Sequence, residues 1–113
     1  NPRQAILDSS IFILPSYKEG LSLALLEACM LERAIITTDI DGNLEVIENY
    51  QNGLLVPSKN VDKLRIAIQT LLDDEALRKR LAHSARKTYL DRFSFSKIVK
   101  EQLISIIEGE KHV

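Results

Sequence analysis

The chain has 113 residues, 45% of them apolar, and its fifteen basic and sixteen acidic side chains leave a formal net charge of −1. That balance suggests neither nucleic acid nor an anionic membrane as a partner, and the length suits at most one domain with a core of its own. A single cysteine, Cys29, excludes an internal disulfide and any cluster of thiolate metal ligands. No apolar run approaches the ~20 residues that span a bilayer, and no signal peptide is read ahead of the first strand, so the cytoplasm is the expected compartment.

From the start, Asn1 to Asp8 reads as the last turns of a helix without its beginning, and there is no initiator Met. The sequence is therefore expected to be a cut piece. Ile11-Phe-Ile-Leu14, Ala34-Ile-Ile-Thr-Thr38 and Gly53-Leu-Leu-Val56 are short apolar runs rich in β-branched residues, separated by helical patterns. Buried parallel strands read this way. Pro15 and Pro57 close two of the runs, while Gly20, Gly42 and Gly53 punctuate the connections. The order is β-α-β-α-β, and right-handed crossovers would lay the helices on the sheet faces, an α/β fold.

Beyond Pro57 the spacing of Val61, Leu64, Ile68 and Leu71 predicts a helix over 61–72 with Asn60 as its N-cap. Asp73 or Asp74 is expected to cap the next helix, which runs to about Tyr89 on an inner stripe of Leu77, Leu81, Ala85 and Tyr89. Its basic residues Arg78, Lys79, Arg80, Arg86 and Lys87 read as a solvated face. Phe93 to Phe95 marks a break. Residues 93–113 are expected to form a closing amphipathic helix on Ile98, Leu103, Ile106 and Ile107.

Glu27 stands out as a lone carboxylate among Leu23, Ala24, Leu25, Leu26, Ala28, Cys29, Met30 and Leu31. A helix apolar on nearly every side belongs in an interior, where an ionised group needs a partner or a wet cavity. Glu19, eight positions earlier, stands beside Gly20 in the loop that opens this helix. Free N–H groups at a helix start attract phosphate, and a carboxylate further along accepts hydrogen bonds from hydroxyls. A nucleotide sugar offers both groups.

The stretch Pro15-Ser-Tyr-Lys-Glu-Gly-Leu-Ser-Leu-Ala-Leu-Leu-Glu-Ala28 resembles the E-x7-E signature of retaining GT-B glycosyltransferases, particularly the large family 4 group. The resemblance continues through Ala34 to Asp39, Asp41-Gly-Asn-Leu-Glu45 and Asn52-Gly-Leu-Leu-Val-Pro57, and covers almost the whole chain. It implies that residues 1–113 are the second half of a Rossmann-like, nucleotide-sugar-binding C-terminal domain. It also implies an enzyme that transfers a sugar from a nucleotide-sugar donor to an acceptor hydroxyl with retention, as in polysaccharide biosynthesis.

By the same resemblance Glu27 would take the ribose hydroxyls, and Glu19 would be the catalytic carboxylate near the transferred sugar. Two carboxylates roughly 12 Å apart along a helix exceed the spacing of a hydrolase acid/base pair, so Glu19 would act by electrostatics on an oxocarbenium-like centre. Gly20, Leu21, Ser22, Leu23 and Ala24 would enclose the donor diphosphate and sugar. Ser22 equally reads as a plain helix cap. Asp41 stands where the family has the first of two glycines, a departure that crowds this loop. Asp39 and Asp41 read as turn and cap residues, and neither metal nor cofactor is expected.

The basic residues that meet the donor phosphates in the family would precede Asn1, and the acceptor, a sugar or a lipid-linked sugar, would be held by another domain. The piece alone is expected to be inactive, and the whole enzyme to be cytoplasmic or peripheral at the inner membrane. With a neighbouring strand absent, Ile11–Leu14 would be a bare edge able to pair two copies into a homodimer. Two other classes stay open. One is a non-catalytic nucleotide-binding module; the other is a structural or interaction domain in which Lys18 or Arg33 neutralises Glu27. A flavodoxin-like receiver fits less well, because no later strand ends in Lys.

Overall fold

A computed structural model of the chain describes residues 11–14, 22–94 and 104. Three parallel strands form one sheet: β1 (Ile11–Leu14), β2 (Ala34–Thr38) and β3 (Leu54–Val56), in the order β1-β2-β3. Ile11 pairs with Ala34 and Leu14 with Thr37, while Ile36 pairs with Leu54 and Thr38 with Val56. Between them run the helices α1 (Leu23–Met30) and the single turn α2 (Asp41–Leu44), followed by α3 (Val61–Asp73) and α4 (Glu75–Thr88). The last described segment of helix, Tyr89–Phe93, widens into a π turn.

Every residue of β2 is buried, which is why its sequence is a continuous apolar and β-branched run and not an alternation. Its side chains point alternately to two cores. Ala34 and Ile36 join Ile11, Leu54 and Val56 against Ala67 and Leu71 of α3, with Leu81 and Ala82 of α4. Ile35 joins Leu25, Leu26, Ala28 and Cys29 of α1, with Val46, Ile47 and Ala85. Helix α4 thus feeds both cores. The expected α/β layering is observed, with helices on both faces of the sheet.

The expected caps form. Asn60 Oδ1 accepts from Lys63 N at 2.9 Å, and Asp74 Oδ1 from Leu77 N at 2.9 Å. Both helices end within one residue of expectation. β3 begins one residue late, because Gly53 makes an isolated bridge with Asn49. A Cβ on Gly53 would meet Ile47 Cγ2 at 2.9 Å and the Ile35 carbonyl at 3.2 Å, so the turn approaches β2 more closely than a side chain allows.

One expectation is corrected. The basic run of α4 is more than a solvated face: Arg78 donates to the carbonyls of Leu71 (2.6 Å) and Leu72 (3.5 Å), Arg80 to that of Tyr50 (3.2 Å), and Arg86 to that of Met30. Leu71, Leu72 and Met30 lie in the last turns of α3 and α1, where helical carbonyls lack intrahelical partners and the dipole favours a cation. Lys79 only pairs with Glu75, 2.9 Å away on the exposed side. Of residues 93–113, expected as the closing helix, Phe93, Ser94 and a helical Ile104 are described and the rest lie outside the described residues, as do residues 1–8. No helix among the described residues is long and apolar enough to cross a membrane.

Candidate functional site

In an open parallel sheet the loops at the carboxyl ends of the strands form the crevice where ligands sit. Here those ends are Leu14, Thr38 and Val56, and the chain re-enters helix at Ser22, at Asp41 and at Val61. Ser22 has an extended backbone (φ −96°, ψ 122°) and its Oγ accepts from Leu25 N at 3.2 Å. It is therefore a helix cap. The N–H groups of Leu23 and Ala24, ahead of it in the first turn, have no partner within the helix.

Glu27 overturns the premise drawn from composition. Helix α1 buries Leu25, Leu26, Ala28 and Cys29, but Glu27 is exposed, and so are all four residues three and four positions away: Leu23, Ala24, Met30 and Leu31. Leu23 is 81% exposed. The carboxylate therefore centres the open stripe of an apolar helix, not its core side. It lines a cavity of about 390 Å³ that runs along α1 from Ala24 to Leu31, walled by Ile11 and Phe12 of β1 and by Arg33. Among the described residues no ion pair involves Glu27. The salt bridge to Arg33 that a structural role would use is not formed; Lys18 lies outside the described residues.

Of the remaining expected site residues, Leu23 and Ala24 are exposed in the first turn of α1, while Glu19, Gly20 and Leu21 lie outside the described residues. In the loop after β2, Asp39 is exposed and its N–H donates to the Val56 carbonyl at 3.0 Å. The cap position of α2 is Ile40, and Asp41 takes the first helical position, where its charge opposes the positive helix end. Asp41 is thus not the cap residue expected. Among the described residues no three His, Cys, Asp or Glu side chains are grouped to hold a metal ion. Cys29 is buried and free, and burial pushes its thiol up to about 11, so it stays protonated and serves packing.

Two polar features escaped the sequence reading. Asn43 in α2 is fully buried against Thr37 and Thr38 at the end of β2. Asn52, expected only as a turn residue, donates from Nδ2 to the Val46 carbonyl and to Thr88 Oγ1, both at 2.9 Å, and accepts from Glu48 N at 2.8 Å. The adjacent hydroxyls closing an otherwise apolar strand were the available signal for the first. The second joins residues 36 apart and had none. The largest cavity described, about 600 Å³, lies beside this turn and α4, among Glu45, Glu48, Lys87, Asp91 and Arg92. None of the expected site residues lines it; like the Glu27 cavity, which is walled by the first residues of β1 and by Arg33 ahead of β2, it lies off the carboxyl ends of the strands.

Residues 1–88 match the family described as glycosyl transferases group 1. The chain is 40% identical over 87 residues to the N,N'-diacetylbacillosaminyl-diphospho-undecaprenol alpha-1,3-N-acetylgalactosaminyltransferase of Campylobacter jejuni, covering 77% of this chain and 23% of that protein. It is 32% identical over 97 residues to the capsular polysaccharide biosynthesis glycosyltransferase CapM of Staphylococcus aureus, covering 86% and 25%. Among solved structures, a point mutant of S. aureus TarM in complex with Fondaparinux, alpha-GlcNAc-glycerol and UDP superposes with a TM-score of 0.76 at 25% identity, over 90% of this chain and 21% of that one. The chain thus spans about a quarter of the length of the curated relatives it matches. The parallel sheet, its helical layers and the long family match agree: this chain belongs to the glycosyl transferases group 1 family, with the Rossmann-like GT-B architecture.

Proposed function

We propose that this chain contributes part of the donor site of a retaining glycosyltransferase that moves a sugar from a nucleotide-sugar donor to an acceptor hydroxyl. The observation that carries the reading is Glu27: an exposed carboxylate on a cavity wall, without an ion pair among the described residues, on the helix that the crevice loop enters. Its oxygens accept the ribose hydroxyls. Gly20, Leu21, Ser22, Leu23 and Ala24 surround the diphosphate and sugar at the positive end of α1. The bond from the anomeric carbon to the diphosphate breaks, the acceptor oxygen bonds to that carbon on the same face while its proton passes to the departing diphosphate oxygen, and Glu19 stabilises the positive charge between the two events. No metal or cofactor takes part.

UDP in the TarM complex supports a nucleoside diphosphate as the leaving group. The undecaprenol-linked substrate in the Campylobacter relative's name supports a lipid-linked sugar acceptor, hence a cytoplasmic enzyme peripheral to the membrane. Pairing of two copies through the edge strand β1 belongs to the same proposal, and light scattering of the chain in dilute solution tests it: a monomer refutes the pairing. For the donor site, the test is Glu27→Ala in the full-length enzyme. A charge-assisted hydrogen bond of roughly 1.5–3 kcal/mol predicts donor binding weaker by about one to two factors of ten. Donor affinity equal to wild type refutes the assignment.

A further inference from the structure

The polar knot at the end of β2 has no part in the donor site as assigned above. Asn43 Nδ2 donates to Thr37 Oγ1 (3.0 Å), to the Thr38 carbonyl (3.0 Å) and to Thr38 Oγ1 (3.1 Å). A carbonyl only accepts, so Thr38 orients the amide with its nitrogen inward. The one proton of Thr37 Oγ1 goes to the Leu14 carbonyl at 2.9 Å. The relay therefore has a direction, from Asn43 through Thr37 to the last residue of β1. Asn43 Oδ1 is buried and has no hydrogen-bond partner among the described residues. An apolar side chain of similar volume would take this donor from the buried Thr38 carbonyl and from both hydroxyls, so polar contacts and not packing alone account for the amide.

We propose that Asn43 and Thr37 are positioning residues for the nucleotide site. The relay pins the Leu14 carbonyl to β2 and α2, and so sets where the chain leaves the sheet before returning at Ser22. Phosphate recognition by backbone N–H groups depends on placement to fractions of an ångström, which a fixed strand end supplies. This inference rests on the donor reading above.

Two variants of the full-length enzyme test it. Thr37→Val removes the hydroxyl and keeps the shape. Asn43→Asp keeps the shape and replaces the donor by an acceptor, which competes with Leu14 for the Thr37 proton. Binding of UDP, ADP and GDP is measured by titration calorimetry below each variant's melting temperature, together with donor KM and kcat. Each variant is expected to weaken the nucleotide that wild type binds about tenfold, to raise donor KM alike while kcat falls less than about threefold, and Thr37→Ser is expected to restore binding. Wild-type affinity in the folded variants, with only the melting temperature lowered, overturns the positioning role alone. Wild type binding none of the three nucleotides overturns the donor reading, and this inference with it.

Discussion

Helices α1 and α4 pack on the same strand from opposite compositions. α1 is apolar at every position except Glu27, yet Leu23 and Met30 face outward and Leu31 after them is 53% exposed. α4 is dominated by charged and polar side chains, yet Leu81 and Ala85 are completely buried. Apolar content therefore does not decide how deep a helix sits. A helix with a polar face encodes its own orientation, because only one rotation hides the stripe. A helix without one leaves orientation to its neighbours, and in α1 only Glu27 marks the open side.

The comparison is sharpest at leucines. Leu81→Ala empties a fully buried site and should cost about 2–5 kcal/mol in urea unfolding. Leu23→Ala on the exposed stripe should stay within about 0.5 kcal/mol; equal costs at the two positions would show that the α1 stripe is covered in the protein measured. Gly53→Ala drives a Cβ into Ile47 and the Ile35 carbonyl and should cost about 1–3 kcal/mol, read from the same unfolding midpoint.

Caps probe the two helices at their starts. Ser22→Ala and Asp74→Ala each remove one accepted N–H bond, for about 1 kcal/mol apiece by thermal melting. At Cys29, on the buried side of α1, the effect depends on pH. Its thiol is raised from 9.0 to about 11 by burial, so the folded chain holds the proton more tightly than the unfolded one. That stabilisation is complete below pH 9.0 and is lost as pH rises through about 11. Unfolding midpoints across that interval should fall less in Cys29→Ala than in wild type, and a thiol reagent at neutral pH should label Cys29 only on unfolding.

The strands were legible because β-branched runs of four or five residues between breakers suit a buried parallel sheet. The caps Asn60 and Asp74 were legible because an acceptor side chain directly precedes an apolar periodic run. The candidate site is proposed from a spacing, Glu19 to Glu27, and the environment of Glu27 was misread: neighbours three and four positions away share its face, and an apolar face was taken for an inner one. The arginine contacts were hidden for another reason. Arg80 reaches Tyr50 across 30 residues and Arg86 reaches Met30 across 56, and a local pattern cannot say which carbonyl a long side chain will meet.

What the sequence determined by itself is what depends on near neighbours: strand and helix identities, their ends, the order of the elements and the E-x7-E spacing. Tertiary structure alone decided which side of α1 is open, which carbonyls the arginines close, and that Asn43 ties α2 to β2 while Thr37 ties β2 to β1. Short-range preferences are set by backbone sterics and side-chain period, whereas burial and hydrogen-bond partners follow from which surfaces meet when distant segments fold together.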